Sequence, residues 1–289
     1  MKFKALILII LTIIVLGGIF FFKDRIFNFY YDLFQKLPSI EKQANTLIEE
    51  VKKEVLTPGP LRTEKENPQS FLTKEGVIEW TNFHREKNGL SLLSENLKLN
   101  AAASIKLQDM FKKQYFEHIS PSGIGAGDLA ANSGYEYIIV GENLALGNFK
   151  DDKELVQAWM DSPGHRANIL NHQYRDIGVA VGKGLFEGKS VWLAVQTFGL
   201  SLSVCPKPDE TIKTEIELYT IKIDEIQEKI DLLLAEIKSM QPKRGPAYNE
   251  KVKEYNNLVN QYNNLARENQ LLVNKYNTQV KSFNECVKR

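Results

Sequence analysis

The chain has 289 residues, 43% of them apolar and 25% charged, with 37 basic against 36 acidic side chains for a formal charge of +1. That length holds one good-sized domain with accessories or two small ones, and the apolar share excludes a wholly disordered chain. The balance of charge supplies no basic face of the kind nucleic acid demands, so no nucleic-acid partner is expected.

Ala5 to Phe22 is a run without a single charge. At the rise of an α-helix its eighteen residues reach about 27 Å, close to the hydrocarbon thickness of a bilayer. Lys2 and Lys4 precede the run, and Lys23, Asp24 and Arg25 stop it. A cleaved signal would carry a shorter apolar core and a small-x-small site. Here Phe20, Phe21 and Phe22 close the run, and Phe27, Phe29, Tyr30 and Tyr31 follow like an interfacial aromatic belt. Residues 1–25 therefore read as an uncleaved transmembrane anchor. From Ser39 to Leu56 the spacing of Ile40, Ala44, Leu47, Val51 and Val55 predicts a short amphipathic helix with Ser39 as its N-cap. TPGPLRTEKENPQS, residues 57–70, has the prolines and charges of a linker. Residues 26–70 are thus expected to be a juxtamembrane stalk outside any packed domain.

Residues 71–200 have the pattern of a compact α/β domain. Helices are predicted from Glu75 to Lys87 and from Glu95 to Lys113, the second carried by Leu97, Ala101, Ile105 and Met110. After a Gly-rich stretch, Asp151 or Asp152 caps a helix through Leu155, Ala158 and Trp159. Ser162-Pro163 starts another, since Ser caps well and Pro suits the first helical position. Ile177–Gly182 and Ser190–Phe198 read as adjacent strands joined through GKGLFEGK.

Beyond Pro208 apolar residues step by alternating fours and threes, from Ile212, Ile216, Tyr219 and Ile223 to Ile237 and Met240. After QPKRGP the stepping resumes at Tyr248, Val252, Tyr255, Val259 and Tyr262 and runs to Val287, with Asn269 the polar exception. Two heptad series joined by a Pro/Gly turn describe an antiparallel coiled-coil hairpin over 201–289, a surface for a protein partner or for self-association. Folding the turn near residue 244 brings Cys205 and Cys286 to one end. A disulfide there implies an oxidising compartment and places the body of the chain outside the cytoplasm. The alternative is two unrelated buried thiols.

The chain has four histidines, His84, His118, His165 and His172. His118 lies in FEHISPSG, Glu142 in GENLALG and His165 in AWMDSPGHRANILN. Their spacing matches no helical metal motif such as HExxH. On spacing alone they read as two loop histidines and a carboxylate at a helix start. Ser120 and Ser162 both precede proline and read as turn and cap residues, so no nucleophile stands out.

These segments, with DIGVAVG and VWLAVQTFG after them, occur in the order and approximate spacing of the CAP superfamily, which includes cysteine-rich secretory and plant pathogenesis-related proteins and many bacterial exported proteins. The region 71–200 resembles that superfamily. The resemblance implies an α-β-α sandwich with a central cleft in which His118, Glu142 and His165 face one another. Eukaryotic members line the cleft with a second glutamate between the tryptophan helix and the last histidine. Here Asp161 is the one acid in that interval, the candidate fourth cleft residue, and Glu154 is a charge at a helix N-terminus. Two neutral imidazoles and a carboxylate suit a divalent metal such as Zn²⁺ with bound water. The same trio could order the surrounding loops without metal.

Three functions are compatible with this pattern. One is a surface binding module taking a lipid, glycan, peptide or metal in the cleft, with the coiled coil as spacer or docking arm. Another is a metal-assisted hydrolase of envelope or peptide substrates, and the third is a purely structural interaction protein. The missing second glutamate and the absent nucleophile weigh against catalysis, and the histidines with Glu142 favour the binding module.

Overall fold

The computed structural model describes residues 53–288, so the apolar run at 5–22 and most of the helix expected from Ser39 lie outside the described residues. Among the described residues, none of the helices is long and apolar enough to cross a membrane.

Helix α1 (Lys74–Lys87) starts at Thr73, whose hydroxyl accepts from Gly76 N, and Asn96 caps α2 (Leu97–Lys113) in the same way through Lys98 N. A short α3 (Ala126–Asn132) follows in the Gly-rich stretch. Asp151 caps α4 (Asp152–Asp161), and α5 (Pro163–Ile169) begins with Pro at its first turn. The strands are β1 (Glu54–Leu56), β2 (Leu61–Arg62), β3 (Ser94–Glu95), β4 (Tyr137–Leu146), β5 (Asp176–Phe186) and β6 (Lys189–Ser201).

They form one sheet in the order β1-β4-β6-β5-β3, with β2 also on β4. β6 is antiparallel to both neighbours, whereas β1 and β2 run parallel to β4 and β3 parallel to β5. Each face carries its own core. Met110 of α2 and Phe116 just after it pack on Leu144, Leu193 and Val195. On the other face Val77 of α1, Leu155 and Trp159 of α4 and Ile169 of α5 pack on Val179, Ala194 and Phe198. The expected α-β-α sandwich is therefore present, with apolar side chains sent to both sides of the sheet.

Two readings of the sequence are corrected here. Residues 54–56 and 61–62 are not a stalk, because they add to the edge of β4 at Ile139–Gly141 and Ala145–Leu146. The prolines of TPGP allow this, since Pro58 and Pro60 fall between the paired stretches, where no ladder N–H is required. Glu142 is in mid-strand and not at a helix start. All ten residues of β4 are buried, so the strand lacks the period-two alternation that would have revealed it.

Beyond a 3₁₀ turn at Leu202–Val204, α6 (Glu210–Ser239) and α7 (Pro246–Val287) fold back on each other. Their partners run in opposite directions: Glu210 with Tyr276, Tyr219 with Glu268, and Glu236 with Lys251. Ile212, Ile216, Ile223, Ile230, Leu233 and Ile237 line the buried side of α6, at the spacing the heptads predict. Cys205 and Cys286 form a disulfide. It packs with Ile138 of β4, Val287, Leu200, Leu202 and Phe283, so the base of the hairpin is joined to the sheet.

Candidate functional site

Glu142 sits on the face of β4 that carries α2, and the next residue, Asn143, faces the opposite layer. This alternation puts the site astride the sheet edge. His118 arrives from the loop after α2, and His165 arrives from α5 on the other side. All three side chains are buried.

Nδ1 of His118 lies 2.7 Å from Glu142 Oε1, and its Nε2 meets the carbonyl oxygen of Pro58. Both ring nitrogens thus face acceptors. A carbonyl oxygen only accepts, so the Pro58 contact is a hydrogen bond when Nε2 carries a proton, and Nδ1 is left to face the Glu142 carboxyl. Lys106 fixes the loop from beneath: its buried ammonium donates to His118 O at 2.8 Å and lies over the Tyr115 ring at 4.8 Å. Burial pushes the Lys106 ammonium down from its ordinary range, against the pull of nearby acids led by Glu142.

His165 is held differently. Its Nδ1 is 2.8 Å from Ser162 Oγ, while its Nε2 is buried without a partner. Burial first, and the neighbouring His118 second, push this imidazole down to about 4. Ser162 stands at the N-cap of α5 as expected, but its hydroxyl serves the histidine and not the helix.

Beneath the histidines lies a polar network that residue types alone did not reveal. Asn168 Nδ2 donates to Asn143 Oδ1 at 3.0 Å, Asn143 Nδ2 to Gln196 Oε1 at 3.0 Å, and Gln196 Nε2 to Thr81 Oγ1 at 2.6 Å. Asn143 Nδ2 also reaches His165 O at 3.3 Å. Arg85 clamps the end of α5, donating to Ile169 O and Asn171 O at 2.7 and 2.8 Å. A usable signal existed at Gln196, an uncharged polar residue inside the apolar run VWLAVQTFG, where only a hydrogen-bonded partner permits burial.

Asp161 does not join the cleft. It is exposed at the end of α4 and accepts from Gln157 Nε2 at 2.8 Å, because a helical residue four positions on lies over its neighbour. Glu154 remains a surface charge in the first turn of α4, paired with Lys65 at 3.7 Å. His84 and His172 also lie outside the cleft.

A divalent metal needs ring nitrogens with free lone pairs and a carboxylate beside them. Here Glu142 is turned to His118 Nδ1, and Pro58 covers the other nitrogen of that ring. Of the four imidazole nitrogens in the cleft, His165 Nε2 is the one left open. Among the described residues, no group of three His, Cys, Asp or Glu side chains is arranged to hold a metal ion. As folded, the trio does not fit a metal centre.

Residues 78–198 match the family model for the cysteine-rich secretory protein family, CAP. The chain is 43% identical over 116 residues to the uncharacterized protein YkwD of Bacillus subtilis (strain 168), covering 40% of this chain and 43% of that protein. It is 28% identical over 162 residues to the uncharacterized membrane protein YlbC of the same organism, covering 53% and 46%. The chain thus spans less than half the length of either curated relative. Among solved structures it is similar to an extracellular protein containing a SCP domain from Bacillus anthracis str. Ames, with 28% identity, 44% of this chain, 39% of that chain and a TM-score of 0.38.

Proposed function

From a chain whose residues 78–198 are a CAP domain, we propose that this protein is a membrane-anchored, extracytoplasmic binding module whose ligand site is the cleft of His118, Glu142 and His165. The observation that carries this reading is His165 Nε2, a buried polar atom with no partner beside a paired His118 and Glu142. A buried hydrogen-bonding group without a partner costs about 1–3 kcal/mol, which a ligand that satisfies it recovers. The apolar run at 5–22, the disulfide and the relative named as a membrane protein support the location. The helical hairpin serves as a spacer or docking arm.

One observation favours a second reading, hydrolysis: Ser162 Oγ lies within hydrogen-bond reach of His165. The relay is incomplete, however. In a Ser-His-acid triad the carboxylate orients the same imidazole that activates the serine. Here Glu142 bonds His118 and Ser162 bonds His165, so the site divides into two separate pairs. Binding is therefore the better reading.

The test titrates the full-length chain with zinc chloride, a muropeptide mixture, anionic lipid vesicles and proline-containing peptides. Whichever probe binds, His165→Ala and Glu142→Gln should weaken it by about ten-fold or more, while His84→Ala and His172→Ala leave it unchanged. Binding indifferent to His165→Ala would refute the cleft as the ligand site. Peptide or ester hydrolysis lost in Ser162→Ala would replace the binding module with a hydrolase.

A further inference from the structure

The cleft already holds a peptide, and that peptide is the chain's own. β1 pairs with β4 up to Leu56 and Gly141, and β2 resumes the pairing at Leu61 and Ala145. Thr57, Pro58, Gly59 and Pro60 therefore cover the stretch that Glu142, Asn143 and Leu144 occupy on β4. With one residue in excess, the strap arches outward over Glu142. At the arch Pro58 gives its carbonyl to His118, and Leu56 gives its own to Asn168 Nδ2 at 3.3 Å.

The domain makes room for this strap at Gly164, where a Cβ would come within 2.7 Å of Pro58 Cβ, and for the residue that follows the strap at Gly147, where a Cβ would come within 2.4 Å of Thr63 Cγ2. The strap also reads as a strand on a groove, with Leu56, Pro58 and Pro60 half-buried and Val55, Thr57 and Gly59 exposed. His118, Gly147, Gly164 and Asn168, which form the seat, all lie within the family match at 78–198, and the strap lies outside it. The seat thus belongs to the domain, and the occupant is an addition to it.

We propose that the cleft is a strand-addition site for an extended, proline-containing segment of a partner polypeptide, and that residues 54–62 occupy it in cis as an autoinhibitory strap. This deepens the reading of the cleft as the ligand site and rests on it. The contacts named are largely to main-chain carbonyls, which any extended peptide offers, and the proline ring over Gly164 supplies the side-chain selectivity. A tethered strap competes at a millimolar effective concentration, so a partner of modest affinity binds only when the strap is released.

The experiment uses a fluorescent peptide with the sequence of residues 53–63 and the full-length chain. Leu56→Asp with Leu61→Asp removes the strap's two half-buried leucines and should raise peptide affinity by at least about ten-fold over wild type. Adding Gly164→Leu fills the seat of Pro58 and should abolish the gain, and a scrambled peptide should not bind. A folded double variant that binds no more tightly than wild type overturns the proposal. If the double variant does not fold, hydrogen exchange on the wild type decides. Strap amides should exchange through local opening, well before the amides joining β4 to β6, and exchange only with global unfolding overturns the proposal. If the released variant ignores the peptide but takes up zinc, muropeptides or vesicles in a manner that Gly164→Leu blocks, the cleft remains the ligand site and only the peptide class falls.

Discussion

Burial and the neighbouring His118 hold the His165 imidazole down at about 4, so near neutral pH the ring is uncharged. An unfolded histidine titrates near 6.5. Between those values the unfolded chain binds more protons than the folded one, so stability falls as the pH falls. The contribution is fully present above about 6.5 and gone near 4, a change of roughly 3 kcal/mol. Urea unfolding at pH 7 and pH 4.5 should show this loss in the wild type and a smaller one in His165→Gln. Equal losses in both proteins would remove His165 as the cause. Arg85 offers a second check at this scale, because its buried guanidinium holds the carbonyls of Ser91, Ile169 and Asn171. Arg85→Met leaves those acceptors unpaired and should destabilise the fold by about 3–5 kcal/mol in urea. A loss under about 1 kcal/mol would mean that water replaces the guanidinium at α5.

Among the elements, the hairpin depends most on a single bond. The Cys205–Cys286 bridge closes a separation of 81 residues. In the chain-entropy model such a link stabilises by up to about 4.5 kcal/mol. Reduction should therefore lower the hairpin's melting transition while the cysteine-free domain core melts nearly as before. A single transition that shifts as a whole would show that the apolar cluster of Ile138, Leu200 and Val287 couples the two. On α7, Asn269 is buried, and its Oδ1 has no hydrogen-bond partner. Asn269→Leu should raise the melting temperature, corresponding to about 1 kcal/mol or more, since an unpaired buried acceptor is removed. A lower melting temperature would assign the amide a specifying role at the seam. The sandwich has its own tight point at Gly178 of β5, where a Cβ would come within 2.2 Å of the Leu99 backbone. Gly178→Ala should separate β5 from α2 and cost several kcal/mol.

At the scale of the whole molecule, the strap and the hairpin base grip the same strand. β4 takes β1 and β2 along one edge, and its Ile138 packs against the hairpin's disulfide. Whatever binds in the cleft therefore acts on the strand to which both flanking segments are attached. The proposed topology makes a direct prediction about this body. In intact cells, a membrane-impermeant protease or an impermeant thiol label applied after reduction should reach residues 53–288. Protection of that region until the cells are lysed would place it on the inner side.

Much of this was legible in the sequence, because local patterns determine it. The α2 and α6 helices follow from apolar spacing, the N-cap of α4 from Asp151 or Asp152, and the antiparallel return from two heptad series around a Pro/Gly turn. The meeting of His118, Glu142 and His165 was implied by resemblance, not by spacing. Tertiary structure alone decided how those three divide. Glu142 turns to His118 because both lie on the α2 side of the sheet, and His165 turns to Ser162 because one helical turn joins them. It also decided the fate of TPGP. A proline-rich segment carries no local preference for a sheet edge, so its role as a strap follows from the seat that Gly147 and Gly164 leave open, residues far from it in the chain.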